Sequence, residues 1–296
     1  AVTVPAAPAK CVLTAILLIA FTSCTKKSDK EVSLGALIAM TGPIESMAPP
    51  ILDSVRLAVD EVNKNGGILD GRKLKLTIGD SKCSAEGGAD AAKKLVNINK
   101  VSGIVGALCS GASNAASSGV AIPAGVTMIS PASTAPTFTN LKDNDLFYRV
   151  IPSDAYQGVY LGKLVIKQGI TKVALTYVNN DYGVGLANSF KASFEKEGGK
   201  VVTESKHEDK KASYGSELAT LAQGGAEALV VIAYSDSSGQ TIVRQALETK
   251  QFDRFIGTDG MASEKLIKRI GIKGLKKSFF SRPVATKTAF SDAFDK

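Results

Sequence analysis

Two short loops of small hydroxyl-bearing residues lie close together in the sequence and could hold an anion. They cover residues 109–113 (CSGAS) and residues 130–136 (SPASTAP). Small side chains let a ligand approach the backbone, hydroxyls donate hydrogen bonds, and a helix beginning near Gly111 would offer unpaired N–H groups. The same residue types are typical of ordinary turns in which Ser and Asn cap a helix. From this stretch alone, neither interpretation is favoured.

Each loop follows a short apolar run that predicts a buried strand. These runs are residues 103–108 and 126–129, and runs of this length are typical of parallel strands covered on both faces. Open α/β sheets bind ligands at the carboxyl ends of such strands. The two loops are therefore expected at the ligand-binding edge of one sheet.

The rest of the chain repeats the same alternation of strands and helices. The first series has predicted strands at 32–39, 74–78, 103–108 and 126–129, with helices at 50–63, 84–97 and after Ser113. A strand at 146–152 need not stay in that sheet, because a second series begins beyond it. That series has strands at 172–178, 200–205, 228–233 and 255–257 with helices between them. The pattern predicts two α/β lobes with parallel sheets and right-handed crossovers.

Composition excludes several classes of protein. The chain has 296 residues, 44% of them hydrophobic, which fits a globular protein with two domains. Its single histidine, His207, lies in a charged segment that predicts a solvated strand end. A His-based catalytic triad and a multi-His metal site are therefore excluded, and no cofactor or metal is expected.

The net charge of +8 does not indicate a nucleic-acid partner. The lysines are spread along the chain, and no RNA-binding motif accompanies them. The densest basic run, residues 265–277, predicts an exposed helix and turn. We favour solvated surface over a docking patch for this run.

The N-terminal residues predict export. The apolar run 11–21 is too short to span a membrane, but it has the length of a signal-peptide core. Residues 21–24 (FTSC) resemble the lipobox of bacterial lipoproteins, in which the cysteine, here Cys24, becomes lipidated. Phe21 stands where leucine is usual, and a plain secretory signal is the alternative. We predict a signal peptide at 1–24, a linker at 25–31, and location in the periplasm or on the outer face of a bacterial membrane.

Export makes a disulfide bond feasible. With Cys11 inside the signal peptide and Cys24 as the anchor, Cys83 and Cys109 remain. One bond between them would close a loop of about 26 residues and stabilise the fold by about 3.5 kcal/mol on the chain-entropy model. Two free buried thiols are the alternative.

Short motifs from residue 32 to about residue 284 match one known family in order. The matching residues are 40–43 (MTGP), 62–67 (VNKNGG), Asp80 with Cys83, Cys109 with Ser110, 131–136 (PASTAP), 181–185 (DYGVG), Tyr234, Gln240, Arg244, Gln245, Asp259 and Gly260. In these residues the chain resembles the leucine/isoleucine/valine-binding branch of type I periplasmic binding proteins, the solute receptors of ABC importers.

The resemblance implies two Rossmann-like, three-layer lobes joined by a hinge. Lobe 1 would cover 32–148 and lobe 2 would cover 149–279. Residues 277–283 would cross back, and 280–296 would then help to complete lobe 1. Because relatives continue well beyond that crossing, we expect the C-terminal part of the fold to be truncated at Lys296.

The resemblance also implies how an amino acid would lie in the cleft. Its carboxylate would meet the hydroxyl and backbone N–H groups of Ser110 and Thr134, with Ser133 in the same loop. Its ammonium would meet the Ala132 carbonyl, the Thr134 hydroxyl and Asp259, where relatives that bind branched amino acids carry glutamate.

The side-chain end of the ligand would be enclosed by residues of both lobes. Tyr182 and Tyr234 would close over it from the second lobe. Met47 stands where such relatives place an aromatic residue, so the resemblance implies a reshaped pocket for the ligand side chain.

The predicted function is that of an exported, monomeric receptor. It would bind a neutral amino acid, branched-chain or similar, and deliver it to an ABC permease in the membrane. A regulatory module of the same fold that senses amides or amino acids is the alternative. A hydrolase with Ser110 or Ser133 as nucleophile lacks a base, so no enzymatic activity is expected.

Overall fold

Residues 31–284 are described by the structure, a computed structural model of the chain. The predicted signal peptide with Cys24 lies outside the described residues, as does the stretch 285–296. Within the described part of the chain, no helix combines the length and the apolar character that crossing a membrane requires.

The first lobe is built on a five-stranded parallel sheet. Its strands are β1 (Glu31–Ile38), β2 (Lys73–Asp80), β3 (Gly103–Gly106), β4 (Thr127–Ser130) and β5 (Phe147–Arg149), in the order β2-β1-β3-β4-β5. The connecting helices are α1 (Ala48–Lys64), α2 (Ala85–Lys93) and α3 (Ser110–Ala116). A π-helical turn follows α2 at Lys94–Ile98 and follows α3 at Ser117–Ala121. The predicted strand-helix series of this lobe is confirmed.

Strand β5 stays in the first sheet, as its edge strand. It pairs with β4 in the register Met128 with Phe147. Phe147 is buried and its ring stacks on Phe138 at a centroid distance of 4.6 Å. The sequence analysis left the sheet of this strand open, and burial of the aromatic side chain explains the pairing.

The second lobe repeats the architecture of the first. Its strands are β6 (Lys172–Val178), β7 (Lys200–His207), β8 (Ala228–Ile232), β9 (Phe255–Gly257) and β10 (Phe279–Phe280), in the order β10-β9-β8-β6-β7. Its helices are α4 (Asp154–Lys167), α5 (Asp181–Lys196), α6 (Gly215–Ala222), α7 (Ser238–Glu248), α8 (Glu264–Ile270) and α9 (Ile272–Leu275). Read from β7, the strand order matches that of the first sheet. Every residue of β8 is buried, as expected for a central strand between two helix layers.

Strand β10 differs from the predicted return crossing. Phe279 and Phe280 pair in parallel with β9, and the N–H of Ser281 donates to the carbonyl of Gly257 at 3.0 Å. The ring of Phe280 covers Gly257, where a side chain would leave it no room. Phe280, which the predicted boundary 280–296 assigned to lobe 1, therefore lies in the second sheet.

The prediction that His207 is solvated was wrong. At the end of β7 it is 1% exposed, and its Nδ1 lies 2.8 Å from the hydroxyl of Thr176. The ring of Tyr214 packs edge-on against it with centroids 5.5 Å apart. Burial lowers the pKa of His207 to about 4, against the opposing effect of acids such as Asp209. The charged residues on either side of it in the sequence, Lys206 and Glu208, are exposed.

Burial of His207 predicts a loss of stability in acid. The unfolded chain takes up the imidazole proton near pH 6.5, whereas the folded chain takes it up near pH 4. The contribution of His207 to the free energy of unfolding should therefore fall as pH drops through this window, by up to about 3 kcal/mol. Urea unfolding of wild type and His207→Gln at pH 7.5 and 4.5 isolates this contribution, because groups common to both proteins cancel in the comparison. Equal changes in stability between the two pH values in both proteins would contradict this account.

Candidate ligand-binding site between the lobes

The loops that carry the candidate site leave the sheets where the strand order reverses. In the first sheet this point lies between β1 and β3, and in the second it lies between β6 and β8. Parallel α/β sheets bind ligands at such points, outside the carboxyl ends of the strands. Loops after β1, β3 and β4 meet loops after β6, β8 and β9 around one cavity.

This inner cavity has a volume of about 80 Å³ and gathers seven of the predicted ligand contacts. From the first lobe these are Met47, Ser110, Ala132 and Thr134, and from the second lobe they are Tyr182, Tyr234 and Asp259. An open outer cleft of about 860 Å³ lies beside it, and Tyr234 lines both spaces. The ring of Tyr234 therefore forms part of the wall between them.

The two hydroxyl loops are held in place by hydrogen bonds to each other. The hydroxyl of Ser130 donates to the carbonyl of Ala107 at 2.6 Å and accepts from the N–H of Ser133 at 2.9 Å. The hydroxyl of Ser110 accepts from the N–H of Ala135 at 3.2 Å. This network fixes the backbone of both loops before any ligand arrives.

Ser133 does not contact the cavity, which corrects its predicted role. Its side chain is fully buried, and its hydroxyl lies 2.7 Å from that of Ser113. It also donates toward the carbonyl of Ala107 at 3.2 Å. With its N–H already bonded to Ser130, this residue has both polar groups engaged within the loops.

A disulfide bond joins Cys83 to Cys109, as predicted, with the two Cα atoms 5.2 Å apart. Cys109 precedes the first residue of α3, which is Ser110, one position earlier than expected. No side-chain hydrogen bond caps this helix, so the serines nearby do not act as its cap. The bond ties the start of α3 to the loop after β2 and limits movement of Ser110.

The second lobe supplies a hydrogen-bonded aromatic and acidic group. The hydroxyl of Tyr182 donates to the carboxylate of Asp259 at 2.9 Å and lies 2.8 Å from the hydroxyl of Thr258. The rings of Tyr182 and Tyr234 stack with centroids 5.5 Å apart. Gly260 follows the acid, and a Cβ there would meet the Ala233 carbonyl at 2.6 Å. Only glycine allows the loop to bring Asp259 to the cavity.

Burial shifts the titration of these groups. It raises the pKa of Asp259, while the hydroxyl of Tyr182 and the amide of Gln157 act in the opposite direction. Burial also raises the pKa of Tyr182 and of Tyr234. Both phenols therefore remain protonated at physiological pH and can serve as hydrogen-bond donors.

The apolar wall of the cavity was missed in the sequence analysis. It is formed by Ile44, Ile51 and Leu108, together with the predicted Met47. Residues 44, 47 and 51 have helical spacing, and Met47 directly precedes α1. That spacing is a signal that could have identified the wall, because it places three apolar side chains on one face.

Contacts across the mouth of the cleft link the two lobes. Asp236, which follows β8, accepts from the N–H of Ser46 at 2.9 Å and donates its own N–H to the carbonyl of Pro43 at 3.1 Å. Lys265 lies 3.2 Å from the carboxylate of Asp236 and 3.4 Å from that of Glu45. We call these five residues the mouth latch. None of its charged side chains lines the inner cavity.

A second contact between the lobes lies at α3 and α5. The amide of Asn114 donates to the carboxylate of Asp181 at 3.0 Å. At Gly185 a Cβ would meet Pro136 of the first lobe at 2.6 Å. The absence of a side chain there lets α5 approach the loop that carries Thr134.

Among residues 31–284, no three His, Cys, Asp or Glu side chains cluster in a way that could hold a metal ion. The chemistry of the cavity is thus that of hydroxyls, backbone groups, phenols and one carboxylate, beside an apolar wall. This combination suits a small molecule with an anionic group, a cationic group and an apolar part.

The fold and the cleft define a two-lobed solute-binding protein. Residues 31–296 match the family model described as periplasmic binding protein, and the chain belongs to that family. The predicted fold and family are confirmed.

Curated relatives and solved structures agree with this assignment. The chain is 28% identical to an amino acid binding protein of Pseudomonas aeruginosa, covering 86% of this chain and 68% of that one. It is 27% identical to the Leu/Ile/Val-binding protein of Escherichia coli, over 87% and 68% of the two chains. It also superposes, with a TM-score of 0.76 and 27% identity, on the branched-chain amino acid transporter substrate binding protein LivJ of Streptococcus pneumoniae in complex with isoleucine, covering 89% and 75%.

Proposed function

We propose that this protein is the extracytoplasmic receptor of an ABC importer and that it binds a neutral amino acid, branched-chain or similar, in the inner cavity. The observation that carries the proposal is the division of the cavity walls. The first lobe offers hydroxyl and backbone donors at the start of a helix, the second lobe offers one carboxylate, and an apolar wall lies beside both.

The electrostatics of this arrangement fit a zwitterion. The ligand carboxylate would take hydrogen bonds from Ser110 and Thr134 beside the first turn of α3. The ligand ammonium would meet the carboxylate of Asp259 and the carbonyl of Ala132. A zwitterion removed from water needs both kinds of partner, because each unpaired charge would be costly.

Binding is proposed to stabilise the closed arrangement of the lobes. Both lobes supply polar contacts, so the ligand gains its full set only when the cleft is closed. Tyr182 and Tyr234 then cover it from the second lobe. We infer that the ligand leaves unchanged, because among residues 31–284 no base is hydrogen-bonded to the Ser110 hydroxyl and His207 is enclosed within the second lobe.

The partners and the location follow from the same inference. The names of the relatives support a membrane permease as the partner, and a site completed within one chain fits a monomer. Export fits the family and the disulfide bond, since such bonds persist in oxidising compartments. Lipid attachment at Cys24 stays a prediction.

Isothermal titration against the common amino acids and small amides tests the proposal directly. We expect saturable heat with at least one neutral amino acid and none with a charged side chain, because the wall formed by Ile44, Met47 and Ile51 offers no partner for a charge. Heat with amides alone would favour the sensing alternative. No saturable heat with any compound would refute amino acid binding.

Replacing Thr134 by alanine is expected to weaken binding more than tenfold. The Thr134 side chain lines the cavity and is 2% exposed, so its loss leaves a polar group of the zwitterion unpaired, at a cost above about 1.4 kcal/mol. Titration of Thr134→Ala measures the effect. Thr127→Ala, at the other end of β4, should leave affinity unchanged. Similar affinities for both variants would show that the Thr134 side chain does not contribute to ligand binding.

A further inference from the structure

Asp154 is a buried acid that the proposed ligand contacts do not use. It is the first residue of α4, it is fully buried, and its N–H donates to the carbonyl of Thr134 at 2.8 Å. Within the described part of the chain, neither of its carboxylate oxygens meets a donor at ordinary hydrogen-bond geometry, although the hydroxyl of Thr134 lies near enough to lower its pKa. A buried, ionised carboxylate without a partner is costly. We therefore expect Asp154 either to carry a proton or to be neutralised by a cationic group of a bound ligand.

Asp154 is connected to the cavity through two neighbouring residues, Thr134 and Gln157. Its N–H bonds to the carbonyl of Thr134, and Thr134 and Asp259 line the same cavity from opposite lobes, whereas Asp154 itself does not line it. Gln157, one turn further along α4, interacts with Asp259 and donates its side-chain amide to the hydroxyl of Ser281 at 3.0 Å. The first turn of α4 therefore borders the acid of the second lobe.

The charged and titratable groups around Asp154 do not neutralise it by contact. Arg149 directs its guanidinium to the carbonyls of Thr134 and Ala135, at 3.0 and 2.8 Å. Its other terminal nitrogen donates to the hydroxyl of Thr139 at 2.6 Å. The phenols of Tyr182 and Tyr234 interact with both acids and stay neutral. Asp259, which lines the cavity, and Asp154, which is buried beside the Thr134 loop, thus interact without an ion-paired cation.

We propose that, in the empty cleft, Asp154 and Asp259 share one proton, and that the ammonium of the incoming amino acid replaces it. One proton is then released to solvent for each ligand bound, and no covalent bond of the ligand changes. The charge is consistent, because two carboxylates with one proton, or with one ammonium, carry the same net charge. The proposal rests on the proposed function, since it needs an amino acid as the ligand.

The titration of the pair supports this exchange. Burial and the charge of Asp259 raise the pKa of Asp154 to about 8, although the hydroxyl of Thr134 and the charge of Arg149 act against them. Two buried carboxylates that repel each other do not readily both ionise at neutral pH, so the pair keeps one proton. The proton is therefore present under physiological conditions.

The exchange makes affinity depend on pH in a defined direction. Below about pH 8 the ligand must displace a proton, so the association constant should rise with pH, by up to about tenfold per pH unit. Above that pH the pair is already ionised, and the dependence should level off.

Proton counting by isothermal titration tests the proposal. The neutral amino acid that binds best is titrated at pH 6.5 into wild-type protein, in phosphate and in a buffer of larger ionisation enthalpy. We expect the difference in heat to correspond to release of close to one proton per ligand. Asp154→Asn should release none, should bind with little pH dependence, and should be about tenfold weaker than wild type at pH 8. Glu264→Gln, which removes an exposed first-turn acid of α8, should behave as wild type.

A measurement without ligand tests the shared proton. Unfolding of the empty wild-type protein by urea should show stability falling as pH rises from 6 to 8, because the folded state holds a proton that the unfolded state has released near pH 3.8. Asp154→Asn should show a shallower fall. This window overlaps the upper part of the His207 titration, which raises stability with pH by less than the pair lowers it. Because Asp154→Asn keeps His207, the comparison of the two proteins isolates the contribution of the pair.

The outcomes separate this proposal from the receptor assignment. Binding by wild type without proton release, or a flat stability profile in the empty protein, would overturn the proton exchange and leave the receptor assignment intact. Failure of every amino acid to bind would overturn both. If Asp154→Asn fails to fold, as judged by circular dichroism, the two wild-type measurements still decide the question.

Discussion

Replacing Asp259 by asparagine is expected to weaken binding of a neutral amino acid at least about 30-fold. The variant keeps the shape of the side chain but removes the charge that would face the ligand ammonium. Loss of one member of a buried charge pair costs about 2–5 kcal/mol, because the other charge stays buried without a partner. Isothermal titration of the wild type and Asp259→Asn measures the difference.

A second acid of the same lobe provides the control. Asp253 is exposed and pairs with Lys277 on the surface, so Asp253→Asn should bind like the wild type. Asp259→Glu should bind with altered selectivity, because the longer side chain changes the space beside Tyr182. If Asp259→Asn kept wild-type affinity, the ammonium would have to bind elsewhere in the cleft.

Removing the disulfide bond is expected to lower the free energy of unfolding by about 3.5 kcal/mol. The bond spans 26 residues, and the chain-entropy model gives this value for a loop of that length. The double variant Cys83→Ser with Cys109→Ser, compared with wild type in urea, measures the loss. Affinity should also fall, because Ser110 next to Cys109 would no longer be held in place.

Reduction provides the matched test of the same bond. A thiol reductant should destabilise wild type toward the level of the double variant and should leave the double variant unchanged. Equal stability of oxidised and reduced wild type would show that the bond does not constrain the unfolded chain.

The strands and helices could be predicted from the sequence because the residue patterns that indicate them are local. A fully buried strand such as β8 consists of consecutive apolar residues, and the helices between strands carry an apolar stripe. The position of β10 at the edge of the second sheet could not be predicted in this way. It depends on Phe280 covering Gly257, a contact that periodicity does not encode.

The residue types of the candidate site could be predicted from the sequence, but the directions in which their side chains point could not. Ser133 and Thr134 are neighbours of similar chemistry, yet Thr134 lines the cavity and Ser133 points into the loops. The turn made by the backbone between them decides this, and a sequence pattern does not specify that turn. The burial of His207 was missed for a related reason, because its charged neighbours suggested a solvated strand end.

The mouth latch gives the protein a way to adjust how tightly it holds any ligand without changing which ligand it prefers. Asp236 and Lys265 join the lobes through Ser46 and Glu45, and their energy contributes to closure whether or not the cavity is filled. The apparent dissociation constant of every ligand varies inversely with the fraction of molecules that are competent to close. Sequence drift at the rim of the cleft can therefore move the working concentration range of the receptor, while the inner cavity keeps its selectivity.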